Sequence, residues 1–339
     1  MKPSLHSVKQ GIAGRGSLLA AASLLLVAFA QPAGAVQITD FVIYAQQQVT
    51  IGVGSQITGL VGSGTAIVAD NGDALVGGTA GVFGDVRSRD DVQLNNYAFV
   101  TGTVTNPGNL ILGGGATVGA HVVAIPDLPN LPAATAYSAG GANIQPGNNP
   151  PAPVTLTPGS YGNVILGSNT TLALTAGDYY FSSFSSGHGL RLNADVTGGG
   201  NVRIFVVGAI NLGDVDVTAI GGNASNIYFE THFSGNNAFY AGGGTDLLGT
   251  VFAPYGQIHL GSGSTTGSFQ GDLWAGTSVY IEHSVMGSGP PTAAPEPGTV
   301  TLVVTGILGL GAYCGLRRRG SRNRSAVPGE HLSPRAPAA

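Results

Sequence analysis

The chain has 339 residues, a formal charge of −4, 9% charged and 43% hydrophobic residues, and 56 glycines. Basic residues are too few and too scattered for a nucleic-acid footprint, and the hydrophobic share excludes a disordered composition. A single Cys314 excludes an intrachain disulfide, and the seven histidines show no ligand spacing, so no metal or other cofactor is expected.

Residues 1–35 have the order of an export signal. Lys2, Lys9 and Arg15 form a basic region, Ser17–Ala30 an apolar region, and Ala33 and Ala35 a small-residue cleavage site. The apolar region is short for a membrane span, so cleavage after Ala35 is expected.

Residues 36–125 carry repeated strands. Val82, Val100 and Val118 recur every 18 residues, as do Val86, Val104 and Val122, and the same step relates Ala74, Val92 and Leu110. Val49, Ile51, Ile57 and Val61 match Val92, Leu94, Val100 and Val104 at a constant offset of 43, with an extra loop expected around Gly62–Gly72. A fixed period near 20 residues signals stacked units. Alternation such as Val100, Gly102, Val104 gives strands with one inward face. Each unit is too short for a crossover helix, so the predicted fold is all-β: a parallel β-helix (β-solenoid) with coils of about 18–22 residues, right-handed by the crossover rule.

Residues 126–153 break the rhythm with repeated Pro, Asn and Gly and read as a loop or linker. The rhythm resumes over 154–288. Leu156 is echoed by Leu174, Tyr161 by Tyr179, and Leu172 by Leu190; Gly249–Pro254 is answered by Gly271–Gly276, and Gln257–Leu260 by Ser278–Ile281. From this phrasing, Leu247–Met286 resembles the closing coils of secreted bacterial solenoids of the ice-binding-like and choice-of-anchor kind. The resemblance implies a fold and a surface location, not an activity.

Residues 289–297 form a linker ending in Pro295, Glu296 and Pro297. An uncharged run follows over 298–316, then Arg317, Arg318 and Arg319 within a basic tail, 317–339. About 19 apolar residues suffice for one transmembrane helix, and the arginines hold its end in the cytoplasm. This order resembles a PEP-CTERM sorting signal, the tag read by exosortases in Gram-negative bacteria that make exopolysaccharide. The resemblance implies an exosortase-type partner acting at Pro295–Pro297, inner-membrane residence before processing, and then the cell surface or matrix. The tail beyond the arginines is longer than such signals normally carry.

The charges do not converge on a catalytic constellation. Asp85, Arg87, Arg89, Asp90 and Asp91 are the densest cluster, but the 18-residue register puts Asp85 and His121 two coils apart, about 9.6 Å, too far for proton relay. Asp195, Asp214, Asp216 and Glu230 keep open a carboxylate pair at glycosidase spacing. Glu230 and His232 alternate as ligands would, yet lack a third partner, and His232 reads as a surface residue. Gly242–Asp246 reads as a loop. Thr101, Thr103 and Thr105 resemble one rung of an ice-binding ladder that neighbouring coils do not continue. The sequence therefore points to a non-enzymatic structural or adhesive protein of the cell surface or exopolysaccharide matrix, with exopolysaccharide a candidate partner. The alternatives are a polysaccharide lyase or hydrolase on a β-helix, or a ligand- or ice-binding surface module.

Overall fold

The computed structural model describes residues 36–69, 80–261, 265–282 and 285–289. The export signal, the Pro295–Pro297 motif, the apolar run 298–316 and Arg317–Arg319 lie outside the described residues. Among the described residues no helix is long and apolar enough to cross a membrane.

The body is an all-β parallel solenoid of about eleven turns. Its only helical turns among the described residues are Ile38–Asp40 and Ala224–Asn226. Each full turn contributes one strand to each of three faces. Leu190–Asp195, Val202–Val206 and Ile210–Leu212 make one turn, and Val215–Ile220, Ile227–Thr231 and Phe239–Ala241 stack on them in parallel. We call the faces carrying these strands A, B and C in that order. Inward columns of Val, Leu, Ile and Phe fill the interior. Burial of that surface, at about 25 cal/mol per Å², stabilises the stack without a disulfide.

The stacking order is not the sequence order. Phe41–Ala45 lies between Leu60–Ser63 and Leu273–Ala275 on face B, and Gln48–Ile51 lies between Ala66–Ala69 and Ser278–Ile281 on face C. On face A, Val285–Ser288 lies between Gly267–Gln270 and Gln56–Thr58. The first and last strands therefore share one turn in the middle of the stack. From there the N-terminal strands climb to Thr117–Val123 at one end. Residues 126–153, which carry no strand beyond an isolated bridge at Ile144, return to the other end, and Val154–Leu156 starts the climb back.

The inward columns agree with the offset of 43. Val49, Ile67 and Val92 share a column, as do Val61, Val86 and Val104. Three details differ from the sequence register. Ile67 and Ala69, not Ala74 and Val76, lie under Val92 and Leu94, so the extra residues follow Ala69 rather than centring on Gly62–Gly72. A bulge after Val118 slips the last strand by one, pairing His121 with Val104 and Val122 with Thr105. His121 thus leaves the column of Asp85 and contacts Asn106 Oδ1 at 2.9 Å. In the second half, Leu156 stacks on Leu174 at the expected step of 18, whereas Leu172 stacks on Leu192 and Tyr161 on Phe181, steps of 20 residues. Equal spacing of Leu and Tyr fits either step, and the glycine corners absorb the two extra residues.

One corner is held by side chains. Ser63 and Ser88 are adjacent rungs, buried, with Asn106 above them. Ser63 Oγ donates to the Ala66 carbonyl and Ser88 Oγ to the Thr65 carbonyl, while Asn106 Nδ2 donates to the carbonyls of Asp90 and Asn109. The polar column gives side-chain donors to carbonyls at the turn, adding to the Val92 N–H that the Asn109 carbonyl already accepts.

Candidate functional site

Face B carries a column of large, mostly aromatic side chains on its outward side as well as an apolar inward side. Its outward column runs Tyr180, Phe205, Glu230, Phe252, Trp274, Tyr44. Strands such as Phe41–Ala45 are buried at every residue, a pattern that requires a covering layer. Residues 126–138 supply it. Leu128 is buried against Phe41, Tyr44, Phe252 and Trp274, and the Tyr44 hydroxyl donates to the Pro129 carbonyl at 2.8 Å.

Glu230 is the pin of this cover. It is fully buried. Its Oε1 accepts from the Thr135 N–H at 2.7 Å and from His232 Nε2 at 2.8 Å; its Oε2 accepts from the Thr135 hydroxyl at 2.8 Å and the Tyr228 hydroxyl at 2.9 Å. The Tyr137 ring lies on His232 with centroids 4.3 Å apart, and its hydroxyl donates to the Val206 carbonyl. Burial first, and the Glu230 charge second, push the Tyr137 and Tyr228 phenols far above the ordinary tyrosine range, so both remain donors. Glu230 and His232 are thus a clamped pair beneath Thr135 and Tyr137, not an exposed ligand pair or a free surface histidine.

Four of the remaining candidate carboxylates, Asp85, Asp91, Asp195 and Asp214, bond to backbone amides. Asp85 Oδ1 accepts from Thr103 N at 2.8 Å and Asp91 Oδ1 from Asn109 N at 2.6 Å, each one coil on. Asp195 accepts from the Thr197 N–H and hydroxyl, which lower its pKa. Asp214 Oδ1 takes Gly189 N at 2.9 Å and His188 Nδ1 at 2.8 Å. Asp216 stands in a face A column between Arg191 and Asp246. Arg87 donates to the Asp127 carbonyl at 3.4 Å. Among the described residues no three His, Cys, Asp or Glu side chains are grouped to hold a metal ion.

The exposed geometry suited to a ligand lies on face C and at its corner with face A. At that corner the run Gly242–Gly244 has no side chains, and Gly244 takes φ +77°, a left-handed turn cheap only for glycine. The result is an open hollow of about 640 Å³ lined by Ser186, His188, Asn211, Asp214, Tyr240 and Thr265. A second hollow of about 330 Å³, with Asn169, Thr171, Arg191 and Asp216, shares Asp214 and Gly244 with it. From Tyr240 a ladder continues along face C through His259, Tyr280, Thr50 and Val68 to Gln93. Tyr240 and His259 meet edge to face at 5.2 Å, and His259 and Tyr280 at 5.0 Å. His259 is fixed between them because Nδ1 contacts Asn237 Oδ1 at 3.1 Å and Nε2 contacts Glu282 Oε1 at 2.9 Å. Sequence reading missed this ladder, although Tyr240, His259 and Tyr280 each occupy the outward position between two apolar residues.

Face A carries a third, shallower surface. A hollow of about 470 Å³ spreads over Gln56, Thr58, Phe83, Gln270 and Ser288. Its outward rungs Leu248, Gln270, Ser288, Thr58 and Phe83 are uncharged. Thr101 follows Val100 onto this face, whereas Thr105 stands beside Arg87 on face B, so the threonine triplet is split across a corner.

No family model and no curated protein matches the chain. Among solved structures, it is similar to the DUF3494 domain of Shewanella frigidimarina ice-binding protein 1. That likeness has 19% identity over 75% of this chain and 95% of that one, with a TM-score of 0.34. An ice-binding protein from an Antarctic biological consortium gives 19% identity over 75% and 89%, with a TM-score of 0.31. Likenesses at this level carry no argument about what this chain binds.

Proposed function

We propose that the chain is an exported, non-catalytic adhesive solenoid of the cell surface or exopolysaccharide matrix, and that it holds glycan along face C. The observation that supports this reading is the Tyr240–His259–Tyr280 ladder opening into the polar hollow at Asp214. Sugar rings present apolar C–H faces that pack on tyrosine, while their hydroxyls need the polar rim that Asn211, His188 and Asp214 provide. Rungs repeated at about 4.8 Å suit a polymer better than a single small molecule. Catalysis is disfavoured because Glu230 is sealed and Asp85, Asp91, Asp195 and Asp214 are engaged with backbone amides. The sorting part of the proposal rests on the order of Pro295–Pro297, the apolar run and Arg317–Arg319, and takes an exosortase-type enzyme as partner.

The test is retention of the purified body on exopolysaccharide. Tyr240→Ala with Tyr280→Ala should weaken retention at least tenfold with unchanged melting. Undiminished retention removes face C from the reading, and release of reducing ends or unsaturated sugars replaces adhesion with catalysis.

A second reading, a ligand- or ice-binding surface module, is favoured by one observation, the uncharged outward column Leu248, Gln270, Ser288, Thr58 and Phe83 of face A, which runs beside the charged column Arg191, Asp216 and Asp246. Ice recrystallisation inhibition abolished by Thr58→Asp would support it; no inhibition by the unaltered protein would set it aside.

A further inference from the structure

The two ends of the solenoid are finished differently. At one end, residues 140–149 lie across Gly159–Leu166 as a cap. Ile144 bridges Val164, Gly140 N donates to Ser160 Oγ, and the Asn143 and Asn148 side chains accept from the N–H groups of Asn163 and Ser168. At the other end, Leu110–Leu112 pairs only with Val92–Leu94 and Thr117–Val123 only with Phe99–Asn106. No described residue lies beyond them.

The core runs out at that open end. Leu94 is 1% exposed, whereas Leu112, the next residue of its inward column, is 46% exposed. Five of the twelve exposed large hydrophobics among the described residues are here: Ile111, Leu112, Val122, Val123 and Ile125. Residues 107–125 contain no Asp, Glu, Lys or Arg. The one bulge of this edge, after Val118, leaves Leu110–Leu112 and Ala120–Val123 regular, and an edge without charge or cap is a template for another strand.

We propose that this end is the interface of a head-to-head dimer with a second copy of the chain. Whatever covers it must be apolar, uncharged and able to pair with open strand edges, and the same end of another copy meets all three conditions. A charged partner finds no complementary charge on residues 107–125. Head-to-tail stacking into filaments is hindered because residues 140–149 lie across Gly159–Leu166 at the opposite end, leaving only the short edge Val154–Leu156 there. A two-fold axis across the open end closes the assembly at two, the commonest symmetry of soluble oligomers. The dimer doubles the length of face C and presents two copies of its ladder.

The full chain, in a mild detergent, is weighed by native mass spectrometry over a hundredfold range around micromolar concentration. The dimer should dominate at the upper end. Val123→Lys and Ile125→Lys, both at exposed positions, should weaken it at least tenfold with unchanged melting, while Tyr255→Lys, exposed on a distant corner, should leave it intact. A monomer throughout overturns the proposal, as does a dimer that survives both lysines, which would be held by another part of the chain. Open filaments of the unaltered protein also overturn it.

Discussion

Removing the Glu230 side chain tests whether residues 126–138 are a fixed cover on face B. Glu230→Ala deletes four hydrogen bonds to a buried carboxylate, two of them from Thr135 on the cover itself. Each bond to a charged group contributes about 1.5–3 kcal/mol, but Thr135, Tyr228 and His232 regain water once the cover lifts. The expected loss is therefore that of breaking one buried cluster, about 3–5 kcal/mol, and it should appear in two stages. Local opening comes first, since the inward core columns remain intact. Glu230→Gln keeps the shape and lets the two hydroxyls rotate to accept, so about 1–2 kcal/mol is expected. Urea unfolding gives the total. Timed digestion with a protease of broad specificity gives the opening, because Leu128, Leu131 and Tyr137 become cleavable before the body does. If Glu230→Ala loses under about 1 kcal/mol, or residues 126–138 are cut no faster than in the unaltered protein, the clamp is refuted.

Val100→Asp places an unpaired charge in the column Val82, Val100, Val118 and should cost several kcal/mol, whereas Thr101→Asp, pointing out, should change melting little; equal losses contradict the inward register. Asp272 is buried one rung from Thr250, and burial pushes its carboxyl up to about 7 from 3.8. The folded state then holds an extra proton between those values, so stability falls as pH rises through that window. Asp272→Asn should raise the melting temperature at pH 8 by at least about 2–4 °C, the shift that 1 kcal/mol gives in a domain of this size, and leave it unchanged near pH 4; equal gains at both pH values contradict the assignment. Replacing Pro295, Glu296 and Pro297 by alanines should leave a longer, membrane-held form in a host with the sorting enzyme, read by intact mass; an unaltered protein that keeps Ala339 and stays in the inner membrane contradicts sorting.

The repeat was legible because inward residues obey one rule on every coil. Val82, Val86, Val92, Val100 and Val104 are all buried in shared columns. Stacking order was not legible, since a column of valines looks the same read from either end of the chain. Nothing local to Phe41–Ala45 says that its neighbour is Leu273–Ala275. The cover on face B did leave a trace. Face B carries Tyr44, Phe205, Tyr228, Phe252 and Trp274 at outward positions where face C carries Asn211, Thr50 and Gln93. Read together, those side chains imply a second layer, and residues 126–153 were the stretch free to provide it. The burial of Glu230 had no trace, because its partner Thr135 is 95 residues away.

The proposed glycan contact is tested most directly by hydroxyl-radical footprinting of the protein with and without exopolysaccharide, read at each aromatic side chain. The account predicts protection of Tyr240, His259 and Tyr280 together, with Tyr97, Phe233 and Phe83 unchanged. Protection at Phe83 with none on the Tyr240 ladder, or no protection at saturating polymer, would contradict it.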